Sequence, residues 1–78
     1  MTQPAETDRR FSVHARHEDR HRARVLTEPS FEAAAVAYVE GLHGEAEPEI
    51  SLIVRDLESG HEHCFRVDLE TGEAAPCG

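Results

Sequence analysis

Asp56-Leu57-Glu58-Ser59-Gly60 and Asp68-Leu69-Glu70-Thr71-Gly72 are two near-copies of one pentapeptide, twelve positions apart. Each follows an alternating apolar run: Ile50, Leu52 and Val54 before the first, Phe65 and Val67 before the second. A short Asp…Gly loop between alternating segments is the sequence form of a β-hairpin. The last third of the chain therefore reads as a three-strand meander. If the first hairpin closes with a four-residue loop, Asp56 pairs with His61 and paired numbers add to 117. That register sets Val54 against His63, Leu52 against Phe65 and Ile50 against Val67 on one face. Arg55 with Glu62, Ile53 with Cys64 and Ser51 with Arg66 fall on the other. A slip of one residue would exchange the faces, so the pattern itself argues for the register. The last strand, Glu73–Ala75, is short, and Pro76 marks it as an edge because proline cannot donate to a ladder.

Working outward, Phe11, Val13 and Ala15 alternate with Ser12, His14 and Arg16, which predicts a half-buried strand over 10–16. Residues 17–22 are polar and read as an exposed loop. Val25 and Leu26 mark a second short strand over 23–27. Pro29-Ser30 then opens a helix from Phe31 to about Leu42, with Ser30 as N-cap and Glu32 in the first turn. Phe31, Ala35, Tyr38 and Leu42 share its buried face. Gly41 or Gly44 is expected to end it in a left-handed conformation. Ala33 to Val39 holds no charge, so the outward side is also apolar and available to another copy of the chain. Glu45, Glu47 and Glu49 form an acidic connection to the third strand. The fold class is α+β: a small antiparallel sheet in the order ββαββ(β), one helix on its apolar face. Phe31, Leu42, Leu52, Val54, Phe65 and Val67 are the expected core. Residues 1–9 are polar and read as a disordered tail, and 10–78 as one domain.

The run Ser30-Phe31-Glu32-Ala33-Ala34-Ala35, with Leu52-Ile53-Val54-Arg55-Asp56 and Cys64-Phe65-Arg66-Val67-Asp68-Leu69-Glu70-Thr71-Gly72-Glu73, resembles a family of small uncharacterised proteins from α-proteobacteria. The resemblance spans most of residues 10–77. It implies a bacterial source and lends no site residues, since no activity is assigned to that family.

Charge is unevenly placed along a chain of net charge −8. Residues 9–24 hold six arginines against Glu18 and Asp19, a net +4, whereas residues 25–78 carry −10. Arg16, Arg20, Arg22 and Arg24, with His14, His17 and His21, are candidates for gripping phosphate. The segment lacks aromatic side chains for base stacking, and the acidic body opposes a polyanion. Internal neutralisation is the favoured reading. That all eight basic residues are arginine fits GC-rich codon usage.

His61-Glu62-His63-Cys64 is the densest group of ligand-type residues. His61 and His63 lie two apart on a strand and share a side. A zinc site needs at least three protein ligands, so a third, such as His14, would have to converge. The favoured reading is that of ordinary polar residues with no metal. Cys64 and Cys77 oppose one another if the second hairpin also has a four-residue loop. The favoured reading leaves both as thiols, since two cysteines do not make a disulfide scaffold and a reducing cytosol would keep them apart. No nucleophile elbow, P-loop, zinc-protease motif or dinucleotide glycine pattern is present.

These observations predict a non-catalytic, acidic, cytoplasmic domain with no cofactor. Its expected role is protein–protein interaction, with an unknown partner or as a homodimer. A nucleic-acid module using residues 9–24 is the alternative, and a zinc protein or enzyme through His61 and His63 the third reading. No apolar run is long enough for a membrane span.

Overall fold

A computed structural model describes residues 8–18, 20–42 and 48–77. The elements are β1 (Arg9–Ala15), a 3-10 turn (Arg20–Arg22), β2 (Arg24–Glu28), α1 (Phe31–Glu40), β3 (Glu49–Asp56), β4 (Glu62–Asp68) and β5 (Ala74–Pro76). The strands form one antiparallel five-stranded sheet in the order β2-β1-β3-β4-β5. The α+β reading and the ββαββ(β) order hold. The expected tail falls largely outside the described residues, and its last member, Arg9, already belongs to β1. The acidic connection through Glu45 and Glu47 also lies outside them.

The two pentapeptides fold into the same turn. The Asp56 carboxylate accepts the Glu58 and Ser59 amides at 2.8 and 3.4 Å. Asp68 accepts Glu70 and Thr71 at 2.8 and 3.2 Å. The amide of Gly60 donates to the Asp56 carbonyl and that of Gly72 to the Asp68 carbonyl. Ser59 and Thr71 hydroxyls each accept the amide two residues on. Gly60 and Gly72 sit at φ of 82° and 81°, where a side chain is disfavoured. With both loops fixed, β3 and β4 pair in the register that adds to 117, Ile50 opposite Val67 and Arg55 opposite Glu62. β4 and β5 pair in the register that adds to 141.

Helix α1 starts where Ser30, in extended conformation, accepts the Ala33 amide through its hydroxyl. The helix ends at Glu40. Gly41 closes it at φ −89°, so the expected left-handed glycine is not used there, and Gly44 lies outside the described residues. The Gly41 amide instead returns to the Tyr38 carbonyl at 3.1 Å and the Leu42 amide to the Val39 carbonyl at 3.0 Å. Ala34, Ala35 and Tyr38 bury against the sheet. The small alanines let helix and sheet approach closely.

The core departs from expectation in membership. Leu52, Val54 and Val67 are buried as expected, but Phe31, Leu42 and Phe65 are half-buried at its border. Phe11 is the largest fully buried side chain, with Val13 and Ala15 beside it. β1 and β4 stand equally far from an edge, but their outer neighbours differ. β1 is flanked by the five-residue β2, whose Leu26 stands opposite Phe11, whereas β4 is flanked by the three-residue β5, whose Pro76 stands opposite Phe65. Full burial of such a side chain contributes about 1.5–3 kcal/mol. Pro76, expected to follow the last strand, lies inside β5, opposite Phe65. An edge tolerates it because its nitrogen has no partner to supply.

Cys64 and Cys77 form a disulfide, which corrects the reading that left them as thiols. The 141 register brings their Cα atoms to 5.3 Å, within bonding range. The Cys77 amide also donates to the Cys64 carbonyl at 2.9 Å. The bond ties the three-residue β5 to β4.

Two outcomes test this account. Gly60→Ala should destabilise by about 1–2 kcal/mol, because it forces a Cβ into the left-handed region. Thermal melts of the variant and wild type decide it; an unchanged midpoint would exclude the turn. Cys77→Ser should cost about 3 kcal/mol, the loop-closure entropy of a link of this span. Denaturant unfolding with a dithiol reductant should lower wild type to the variant's midpoint and leave the variant unmoved. Equal midpoints without reductant would show the link contributes nothing.

Candidate interaction surface

The strand registers decide the fate of each ligand-type cluster. His63 opposes Val54 on the helix face, and its ring sits edge-on to Phe31 with centroids 4.3 Å apart. His14 opposes Ile53, which in turn opposes Cys64, on the other face. The proposed third ligand is therefore on the wrong side of the sheet, and His14, His61 and His63 do not converge. His14 instead braces the turn after β1. Its Nδ1–H donates to the carbonyls of Ala15 and Glu18 at 2.9 and 3.1 Å, a tautomer required because both partners only accept. Among the described residues no three His, Cys, Asp or Glu side chains group to hold a metal ion.

The arginine segment is dispersed in the same way. Arg24 opposes buried Val13, and its guanidinium lies over the end of α1, with Nη1 2.9 Å from where a Cβ on Gly41 would stand. A cation there complements the helix dipole. Arg16 follows β1 in the opposite sense, with its amide bound to the Ser51 carbonyl. Arg20 and Arg22 lie in the 3-10 turn. Arg16 and Arg24 thus belong to opposite faces and the four do not make one surface.

Arg9, which no sequence motif singles out, makes a close ion pair with a buried carboxylate. Its Nε lies 2.9 Å from Asp56 Oδ2, and the Asp56 side chain is only 3% exposed. Burial pushes this carboxyl up. The Glu58 and Ser59 amides, the Arg9 guanidinium and the Ser59 hydroxyl outweigh it and hold the group below its ordinary value of 3.8. A cleft of about 450 Å³ opens beside the pair, lined by Phe11, Phe31, Ser59 and His61 among others. The Asp56 carboxylate at its border is already engaged by the Glu58 and Ser59 amides and the Arg9 guanidinium. The 600 Å³ cleft at the other end is acidic, with Glu32, Glu49, Asp68 and Glu73 around Arg66. Arg66 already meets Glu49 at 3.6 Å.

What remains is apolar surface. α1 covers one face of the sheet, and its own outward strip is Ala33, Val36 and Ala37. A groove of about 470 Å³ runs along that strip, bordered by Glu28, Glu32 and Glu40. Glu28 belongs to β2, so the strip lies alongside the edge of the sheet. Val25, on the same edge strand, is the most exposed large apolar side chain among the described residues, at 58%. The apolar helix was legible in the sequence. The exposed edge was not, because nothing local in Arg24–Glu28 tells which strand lies outermost.

The ion pair yields a pH test. A depressed carboxyl stabilises the fold fully above pH 3.8, where the unfolded group is also ionised, and that contribution is lost as pH falls through the folded value. Wild type should therefore lose stability on acidification below that point, and Asp56→Asn should be less stable at neutral pH with a flatter acid limb. Melting points from pH 7 to about 2.5 read both; parallel curves would exclude the pair as the source.

No curated protein and no solved structure matches the chain. No described helix is long and apolar enough to cross a membrane. A family model covers residues 9–78, starting with the first residue of β1. The chain belongs to that family, described as a family of unknown function (DUF5961).

Proposed function

We propose that this is a non-catalytic domain that works by binding protein, foremost a second copy of itself. The observation that carries the reading is the coincidence of two unfinished surfaces. The apolar outward strip of α1 runs beside the open β2 edge, on whose other face Val25 is exposed. A helix that is apolar on both sides is ordinarily buried on both. An open edge strand is a template for another chain. The nucleic-acid alternative draws less support, since Arg16 and Arg24 diverge, Arg9 pairs with Asp56 and Arg24 stands over the helix terminus. The zinc reading loses its third ligand.

A bacterial source belongs to the same reading, supported by the all-arginine composition, which fits GC-rich codon usage, and a cytoplasmic setting is proposed with it. A cytoplasmic setting has a consequence: glutathione and thioredoxin systems would reduce Cys64–Cys77, and β5 would lose its clip.

Sedimentation velocity over a concentration series up to about 1 mM tests self-association. Wild type should shift from monomer to dimer, and Val36→Glu, which places a charge in the strip, should stay monomeric with its helical content intact. A wild type that sediments as monomer throughout would overturn the reading.

A further inference from the structure

Resting on that reading, we infer that the second copy pairs through β2, antiparallel about a two-fold axis at Leu26, to form one continuous ten-stranded sheet. The backbone directions come from the hydrogen bonds of β1. The Arg10 carbonyl accepts the Leu57 amide, and the Arg16 amide donates to Ser51. Even-numbered backbone groups on this strand thus turn toward β3, and odd-numbered ones toward β2. Phe11 opposes Leu26, so Leu26 bonds inward. Val25 and Thr27 then direct their N–H and C=O groups away from the sheet.

The sequence of β2 is complementary to itself in this arrangement. Centring the pair on Leu26 sets Arg24 against Glu28 of the other copy, and Glu28 against its Arg24. Val25 meets Thr27 in both directions, as hydrogen-bonded pairs using the four outward groups of each edge. Leu26 meets Leu26 as a non-hydrogen-bonded pair, where side chains approach most closely. Shifting the register by one residue in either direction loses both charge pairs. Such an interface is isologous and closes at two copies.

Two further features agree. Arg24, Leu26 and Glu28 lie on the helix side, and the α1 groove reaches Glu28. The two-fold axis therefore brings the Ala33, Val36 and Ala37 strips of the two copies together above the seam. Small side chains there permit close approach of the helices. The opposite edge is unfit for the same use: β5 is three residues long and contains Pro76.

Charge exchange at two positions is the test. Arg24→Glu sets a new carboxylate against Glu28 of the other copy, and Glu28→Arg sets a new guanidinium against its Arg24. Each single variant should weaken dimerisation by roughly tenfold or more. An equimolar mixture of the two should dimerise as a heterodimer. There the carboxylate introduced in one variant faces the guanidinium introduced in the other, and the unaltered Glu28 of the first faces the unaltered Arg24 of the second. Thr27→Pro should be monomeric with an unchanged circular dichroism spectrum, because its missing N–H pointed outward. Should wild type dimerise while all three variants dimerise equally well, this pairing is wrong and self-association stands. Should each single variant dissociate without rescue in the mixture, the charges do not meet as stated and the register is wrong. A monomeric wild type would sink both readings together.

Discussion

An aspartate carboxylate that accepts the amides two and three residues further on is the interaction from which the rest of this fold follows. It occurs at Asp56 and again at Asp68, each time with a left-handed glycine closing the loop. A turn of fixed length fixes a register, and a register fixes which side chains share a face. The first turn brings Ile50, Leu52 and Val54 together with Val67 under the helix. The second sets Cys77 against Cys64. One residue more or less in either loop would turn the apolar set outward or separate the sulfurs. Identical local chemistry then meets different surroundings. Asp56 lies on the helix side and acquires Arg9, while Asp68 stays exposed at the end of the other face.

Placement of α1 follows from the short passage Pro29-Ser30, which gives the chain no room to travel. The helix must lie against the sheet immediately after β2, and it does so with Ala34, Ala35 and Tyr38 inward. One helix covers one face. A five-stranded sheet so covered has an open face and two edges, and the edges are unequal. The β5 side ends in a short, proline-bearing strand. On the β2 side lies a five-residue strand with Val25 exposed and no proline within it. That asymmetry is why the β2 side is the surface to which a partner is assigned.

The local features were legible: both hairpins, the 117 and 141 registers, the Ser30 cap and the helix face, because each depends on residues within about a dozen positions of one another. The features that were not legible depend on strands far apart in sequence. That β1 inserts between β2 and β3 cannot be read from any window, and it is what buries Phe11, flanked by Leu26 of β2 and Asp56 of β3. The same insertion carries Arg9 to Asp56 and separates His14 from His63 by the thickness of the sheet. The cysteine pair differs in kind: the hairpin register sets the two residues opposite each other, whereas the low cysteine count argues for free thiols, and the geometry prevails. For the candidate surface, the apolar run Ala33 to Val39 was visible, whereas the edge beside it required the strand order.

The charge split along the chain shows why a segment total is a poor guide to a surface. Residues 9–24 carry +4 as a string, but alternation and turning divide them. Arg9 descends to the helix side and is taken up by a carboxylate that is almost completely buried. Arg10 and Arg16 leave on the open face. Arg24 returns to the helix side and stands over the last turn of α1, where orphan carbonyls concentrate negative potential. Arg9 and Arg24 therefore answer separate local fields, and charges more than about a Debye length apart add little to one another's potential. What survives of the sequence-level asymmetry is its finest grain: an arginine and a glutamate four residues apart at the two ends of one edge strand. Four residues on a strand place both on the same side, so antiparallel pairing about the midpoint between them brings opposite charges together at both ends. A charge pattern that is only a local accident in the monomer becomes self-complementary once the edge meets its own copy.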